Sequence, residues 1–240
     1  MSTDPTLDDL PPFPGSSRRR RPAPKRALTR EAIVDAAFEL LDAGGIAALS
    51  MRAVADKLGT GPASLYAHVS GKEELLGLLI DRVSGDIPLP VAGAAPWQEQ
   101  VKAVVREMRA RLGAHRDLAH AALAVVPSGP NALVVMEAML TVARESGLPD
   151  QTIAYAADIL ALYATATAYE ESLRAEQQAA GGDAGDWLAE MRAYLESLPA
   201  DRFPTLRAMA VPLTTTETAD ARFEFGLEAL VRGIESMRKG

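Results

Sequence analysis

From Thr29 to Ile234 the apolar residues recur every three or four positions, and no stretch of useful length alternates apolar with polar residues. A chain patterned this way buries stripes rather than sheet faces, so the expected fold is all-α. Ile33, Ala36, Ala37, Leu40 and Leu41 form the first stripe, with Thr29 as N-cap and Gly44-Gly45 as the stop. A shorter helix follows, capped by Ser50 and striped by Met51, Val54, Ala55 and Leu58, with Gly59 placed as the left-handed residue past its end. A third opens at Gly61-Pro62 and runs to about His68. Ser70 and Glu73 have capping-box spacing ahead of a fourth, whose face is Leu76, Leu79, Ile80 and Val83.

Pro88, Pro90 and Pro96 then interrupt the pattern, so a domain boundary is expected at 86–96. This gives a first helical domain at 28–87 and a second at 95–240. Trp97, Val101, Val104, Val105, Met108 and Leu112 stripe the next helix. Short helices are expected over 115–125 and 130–146, the latter stopping at Gly147. A long helix over 150–179 is apolar almost all round between Ile153 and Tyr169, the signature of burial on more than one side. Beyond a loop marked by Gly181, Gly182 and Gly185, helices are expected at 186–198 and 217–238.

Residues 1–27 are rich in proline and poor in apolar side chains, which predicts a disordered arm. Its Arg18-Arg19-Arg20-Arg21 run, with Lys25 and Arg26, either solvates the tail or adds phosphate and minor-groove contacts. The net charge of −7 is unevenly spread: 18–83 holds eleven bases to eight acids, and 84–240 holds fourteen to twenty-one. Screening confines each field to about 10 Å, so a basic front can meet nucleic acid although the whole is acidic. Apolar residues make up 48% of the chain, enough for a sizeable core, yet no apolar run is long enough to span a membrane. With no signal-peptide pattern and no cysteine, a cytoplasmic protein without disulfides or thiolate metal sites is expected. Three histidines, His68, His115 and His120, leave little for a metal centre.

Residues 50–69 carry the most specific signal. A short helix, a glycine turn and a second short helix make a helix-turn-helix, whose second helix offers its N-terminal side chains to base edges in a major groove. Val54-Ala55-Asp56-Lys57-Leu58-Gly59, then Ser64-Leu65-Tyr66-Ala67-His68-Val69, then Lys72 and Glu74-Leu75-Leu76, resemble the tetracycline repressor (TetR) family of transcriptional regulators. Trp97, Ser128-Gly129-Pro130, Gly147-Leu148 and Arg222-Phe223-Glu224-Phe225-Gly226-Leu227 are similar, more loosely, to the tetracycline-repressor type of C-terminal domain.

The resemblance implies DNA-contact roles. Ser50 and Arg52 match positions that touch phosphate and a base. Pro62, Ala63 and Ser64 match the base-facing start of the recognition helix, and Tyr66, His68 and Lys72 match phosphate contacts. Side-chain chemistry agrees, since arginine reads guanine bidentately and hydroxyls and lysine suit phosphate. The plainer alternatives are that Ser50 only caps its helix, that Tyr66 is half core, and that His68 is structural. Leu65 and Val69 read as core. With Pro62 and Ala63 both apolar, methyl contacts to thymine and DNA shape share the readout.

One motif covers one half-site, and helix-turn-helix dimers place two about 34–36 Å apart. A homodimer on an inverted-repeat operator is therefore expected. The resemblance puts the interface on the long and last helices, with Phe223, Leu227, Leu230, Val231 and Ile234 as candidates; otherwise these faces form the protomer's own core. It also implies a ligand pocket within 96–179. Candidate lining residues are Met108, Leu112 and His115, then Met136, Met139 and Leu140, then Asp158, Leu162, Tyr163, Thr165 and Tyr169. The histidine through which tetracycline repressors hold magnesium aligns with Ala122, so no metal and no cofactor is expected, and magnesium–tetracycline is not the expected inducer.

The leading expectation is a repressor released from its operator by a small-molecule inducer. An enzyme lacks support, because no phosphate loop, metal-spaced histidine pair or nucleophile triad appears. The alternatives are a helical small-molecule-binding protein and an adaptor with a vestigial helix-turn-helix.

Overall fold

The structure is a computed structural model that describes residues 28–179, 181, 184–215 and 219–238. The basic arm at 1–27 lies outside the described residues. Twelve helices and no strand occur among the described residues. The first four are α1 (Arg30–Ala48), α2 (Met51–Lys57), α3 (Pro62–Leu65) and α4 (Lys72–Ser84). Then come α5 (Trp97–Gly113), α6 (Leu118–Ala124), α7 (Pro130–Arg144) and α8 (Asp150–Ala179), followed by α9 (Ala184–Ser197), α10 (Pro204–Ala208), α11 (Ala210–Thr214) and α12 (Ala219–Glu235).

The helix starts follow the local chemistry. The Thr29 hydroxyl accepts from Ala32 N–H at 3.2 Å and the Ser50 hydroxyl accepts from Ala53 N–H at 3.1 Å, each satisfying a first-turn donor. Gly59 and Gly147 are left-handed, at φ 63° and 69°, where their helices stop. Four local details differ from the expectation. Gly45 breaks α1, but helical turns resume as far as Ala48. The recognition helix is only four residues, Pro62–Leu65, and reaches Val69 through turns bonded to the Leu65 carbonyl. Ser70 pairs with Glu74 rather than Glu73: the Glu74 carboxylate accepts from both the N–H and the hydroxyl of Ser70, at 2.7 Å each. These bonds lower the Glu74 pKa below the ordinary carboxylate value. Helices α10 and α11 were not expected; Pro204 at N1 was the available signal, but their five residues each are too short for a periodicity.

Ile33, Ala37, Leu41, Leu65, Val69, Leu75 and Leu79 form the core of the α1–α4 head. That core continues into the body through Leu112, Leu118, Ala121 and Ala168 of α5, α6 and α8. The body has a second core, in which Val101, Val104, Val105, Val135, Val142, Leu160 and Ala164 form one cluster with the inner face of α12. Helix α8 is central and packs on α5, α6, α7 and α12, which explains its apolar circumference.

The inner face of α12 carries Phe223, Leu227, Val231 and Ile234, all at most 7% exposed, with Leu230 half-buried. The expectation that these residues face a partner is therefore corrected. They are satisfied within one protomer, where burying each large side chain contributes about 1.5–3 kcal/mol. Ion pairs fasten the same helix at its rim. Arg106 grips Glu224 through two bonds of 2.8 and 2.7 Å, Lys102 reaches Glu228 at 2.8 Å, and Arg109 reaches Asp220 at 2.7 Å. The Tyr163 hydroxyl donates to the Phe223 carbonyl at 3.0 Å. The outward face of α12 exposes Arg222, Phe225, Ala229 and Arg232, and Phe225 is 77% exposed.

Candidate nucleic-acid interface

The head presents a set of accessible side chains above a closed core. Leu65 and Val69, 0% and 1% exposed, pin α3 onto the head, while Pro62, Ala63, Ser64 and Tyr66 remain exposed. Pro62 begins α3, and Gly61 as its cap supplies no side-chain bond to the free N–H groups there. The Arg52 side chain is 87% exposed and lies 3.9 Å from Asp56, an ion pair too open to restrain it. Ser50 is exposed and caps α2, and His68 is half-buried at the end of the recognition turns. Lys72 is exposed at the start of α4, and its ammonium donates to the Ile46 carbonyl at 2.8 Å. Arg52, Ser64 and Tyr66 thus present exposed side chains on a fixed backbone, as contacts to phosphate and base edges require, while Ser50 and Lys72 also hold bonds within the head.

Two acidic residues that the sequence reading did not single out hold this head to the body. Asp81 of α4 is 7% exposed and accepts from Ala132 N–H at 3.0 Å, within the first turn of α7. Asn131 adds bonds to the Asp81 carboxylate and carbonyl, each at 3.2 Å. The cap residue of α7 is Gly129, which has no side chain to offer. A Cβ at Gly129 would lie 2.2 Å from Asp81, so glycine is what lets the carboxylate close on the helix end. The second residue, Asp117, is left-handed at φ 57° and accepts from Ile46 N–H at 2.7 Å. Neither bond has a sequence signature, because partners some 50 and 71 positions apart meet only in the folded chain.

The expected pocket residues do not converge on one cavity. Met136 and Leu140 line an open groove on α7 with Leu89, Leu133, Val134, Glu137 and Ala138, about 570 Å³ in volume. Met139 points inward to a void of about 20 Å³ shared with Trp97, Ser146 and Leu148. The indole N–H of Trp97 is buried without a hydrogen-bond partner among the described residues. Met108 and Tyr163 pack against the body core, and Leu112 and Tyr169 against the head-side core. Thr165 bonds back to the Ala161 carbonyl at 2.8 Å.

Three assignments are corrected. His115 is held 3.1 Å from Asp42 and packs its ring on Phe38, so it joins the body to α1 rather than facing a pocket. Asp158 and Leu162 lie exposed on the outer side of α8, because one helical face cannot serve both the interior and the surface. His120 stacks on Tyr169 at 5.0 Å between ring centroids. A magnesium site of the tetracycline-repressor kind does not fit, since Ala122 brings no ligating atom. Among the described residues, no group of three or more His, Asp or Glu could hold a metal. No described helix is long and apolar enough to cross a membrane.

Comparison with known proteins agrees with this geometry. Residues 33–79 match the domain described as "Bacterial regulatory proteins, tetR family", and 89–238 match "Tetracyclin repressor-like, C-terminal domain". The HTH-type transcriptional repressor DrrR1 of Streptomyces coeruleorubidus is 33% identical over 92% of this chain and 82% of its own length. The class D tetracycline repressor protein of Escherichia coli is 30% identical over 87% of this chain and 89% of its own. The crystal structure of ActR from Streptomyces coelicolor in complex with actinorhodin superposes with a TM-score of 0.80 at 43% identity, covering 88% of this chain and 98% of that one. The chain belongs to the tetR family and is a helix-turn-helix transcriptional regulator with a tetracycline-repressor-like C-terminal domain.

Proposed function

We propose that the protein is a homodimeric repressor whose two heads bind the halves of an inverted-repeat operator and are released by a small molecule held in the body. The observation that carries this reading is the head itself. Arg52, Ser64, Tyr66 and Lys72 are exposed along a helix-turn-helix whose core residues Leu65 and Val69 are fully closed. Arg52 reads a base, and Pro62, Ala63 and Ser64 meet the groove. Ser50, Tyr66, His68 and Lys72 take phosphates.

The proposed dimer surface is the outward stripe of α8 and α12, in place of the buried stripe expected from sequence. Tyr155, Ile159 and Leu162 are 64%, 46% and 53% exposed at helical spacing on α8, and Phe225 is exposed on α12. Helices α8 and α12 pack together within the protomer, so a second copy applied to both completes a four-helix arrangement about a two-fold axis.

The ligand is mostly apolar with few polar handles. The α7 groove has the volume of a small-molecule site, and its lining is apolar but for Glu137. Actinorhodin bound to ActR, and minocycline bound to the Acinetobacter baumannii TetR variant, show ligands on proteins of this fold. Induction requires the ligand to prefer a conformer whose heads no longer match the half-site spacing.

The test is selection of bound sequences from a random DNA pool at about 0.15 M salt, where non-specific affinity is already weak. Enrichment of one inverted repeat is the expected outcome. Folded protein that enriches no motif would overturn sequence-specific repression.

A further inference from the structure

Lys72 is held by a chain of hydrogen bonds that begins in the body. The Asp117 carboxylate, in the loop between α5 and α6, accepts from Ile46 N–H at 2.7 Å. Ile46 in turn offers its carbonyl to the Lys72 ammonium at 2.8 Å. One residue at the end of α1 therefore links a body carboxylate to a cation at the start of α4. We propose that Asp117 is a positioning residue for DNA binding: it fixes Ile46, and through Ile46 the orientation in which Lys72 meets a phosphate. This rests on the regulator reading above.

Three observations mark the contact as built for placement. Asp117 occupies the left-handed region at φ 57°, which side chains other than glycine rarely adopt. Aspartate and asparagine tolerate it better than most. Gly45, just before Ile46, stands at φ 69° and ψ −171°, a conformation essentially confined to glycine. A Cβ there would fall 2.2 Å from the Asp117 carboxylate oxygen, so even alanine would push the loop away. Finally, His115 in the same loop is held on Asp42 of α1 at 3.1 Å, giving the junction a second anchor. The loop grips the end of α1 with its backbone already committed, and the free side of Ile46 faces Lys72.

A shift of the α5–α6 loop would then be transmitted to a phosphate contact without passing along α4. A carboxylate–amide bond and a carbonyl–ammonium bond are both charge-assisted, and such bonds are roughly twice as strong as neutral ones.

The experiment compares D117G, D117N, K72A and D117G/K72A on the full chain with a mixed-sequence 30-base-pair duplex over a salt titration. Glycine accepts the left-handed backbone without strain but has no acceptor for Ile46, so it separates the hydrogen bond from the conformation. Losing one phosphate per head lowers the slope of log K against log salt by about 0.9 for each head. K72A is expected to show that loss, and D117G to approach it. The double variant is expected to lose no more than K72A alone, and D117N, which keeps an acceptor oxygen, to restore binding to within about threefold of wild type. Circular dichroism checks that every variant is folded. Losses from D117G and K72A that add in full, while wild type binds normally, would overturn the positioning role and leave the regulator reading standing. Folded wild-type protein that binds no duplex at low salt would overturn both.

Discussion

Replacing Asp81 with alanine tests whether the α4–α7 junction is a load held by one buried carboxylate. The side chain is 7% exposed and caps the first turn of α7 through Ala132 N–H and the Asn131 amide. Loss of a cap costs about 1 kcal/mol. A buried donor left without a partner costs about 1–3 kcal/mol more. Gly129 cannot substitute, because it has no side chain and no other cap serves α7. D81A should therefore lose about 2–4 kcal/mol of unfolding free energy. At about 2–4 °C per kcal/mol for a chain of this length, that lowers Tm by about 4–16 °C. D81N keeps an acceptor for Ala132 but loses the charge facing the helix dipole, worth about 0.3–1 kcal/mol. Urea denaturation followed by far-ultraviolet circular dichroism measures both, at one protein concentration so that dimerisation does not confound the comparison. D81A within about 0.5 kcal/mol of wild type would refute the capping argument. D81N as damaging as D81A would show that shape or charge, not the hydrogen bond to α7, governs the site.

Three further perturbations have definite outcomes. F225E places a charge on the outward face of α12, so sedimentation should show a folded monomer with its operator affinity lost; a dimer that persists would move the interface elsewhere. Acidification should loosen α12 early. Glu224 beside Arg106 and Glu170 beside Arg222 have pKa values held below the ordinary 4.5. Their stabilisation is complete above that value and is lost as pH falls through the depressed ones. Hydrogen exchange in α12 should rise below about pH 4.5 before exchange in α1 does, and simultaneous loss would contradict the ion-pair account. W97F removes the unpartnered indole N–H together with some ring volume, two opposing effects. Stability should change by less than about 1 kcal/mol, against about 3–5 kcal/mol for a usual aromatic truncation in a core; thermal unfolding decides between them.

The helices, the head and the family were legible because their causes are local. Thr29 and Ser50 cap the helices they precede, Gly59 and Gly147 end theirs, and the apolar stripe of α2 and α3 closes the head. The same logic left α12 open. Periodicity marks Phe223, Leu227, Val231 and Ile234 as a buried face but says nothing of which surface covers them, and the covering surface is α5 and α8 of the same protomer. The expected pocket residues scatter for a related reason. A methionine or tyrosine at helical spacing looks identical whether it fills a core, like Tyr163, or lines a groove, like Met136.

An all-α chain with a helix-turn-helix at 50–69 follows from the order of residues, since capping, turn geometry and the 3.6-residue period act between neighbours. How the head is tied to the body depends on the packed chain. Asp81 reaches α7 and Asp117 reaches Ile46 across separations at which no local rule operates, and a lone aspartate in the sequence carries no sign of the amide it will meet. Those bonds exist because packing α4 and α6 against their neighbours buries backbone donors that must then find acceptors.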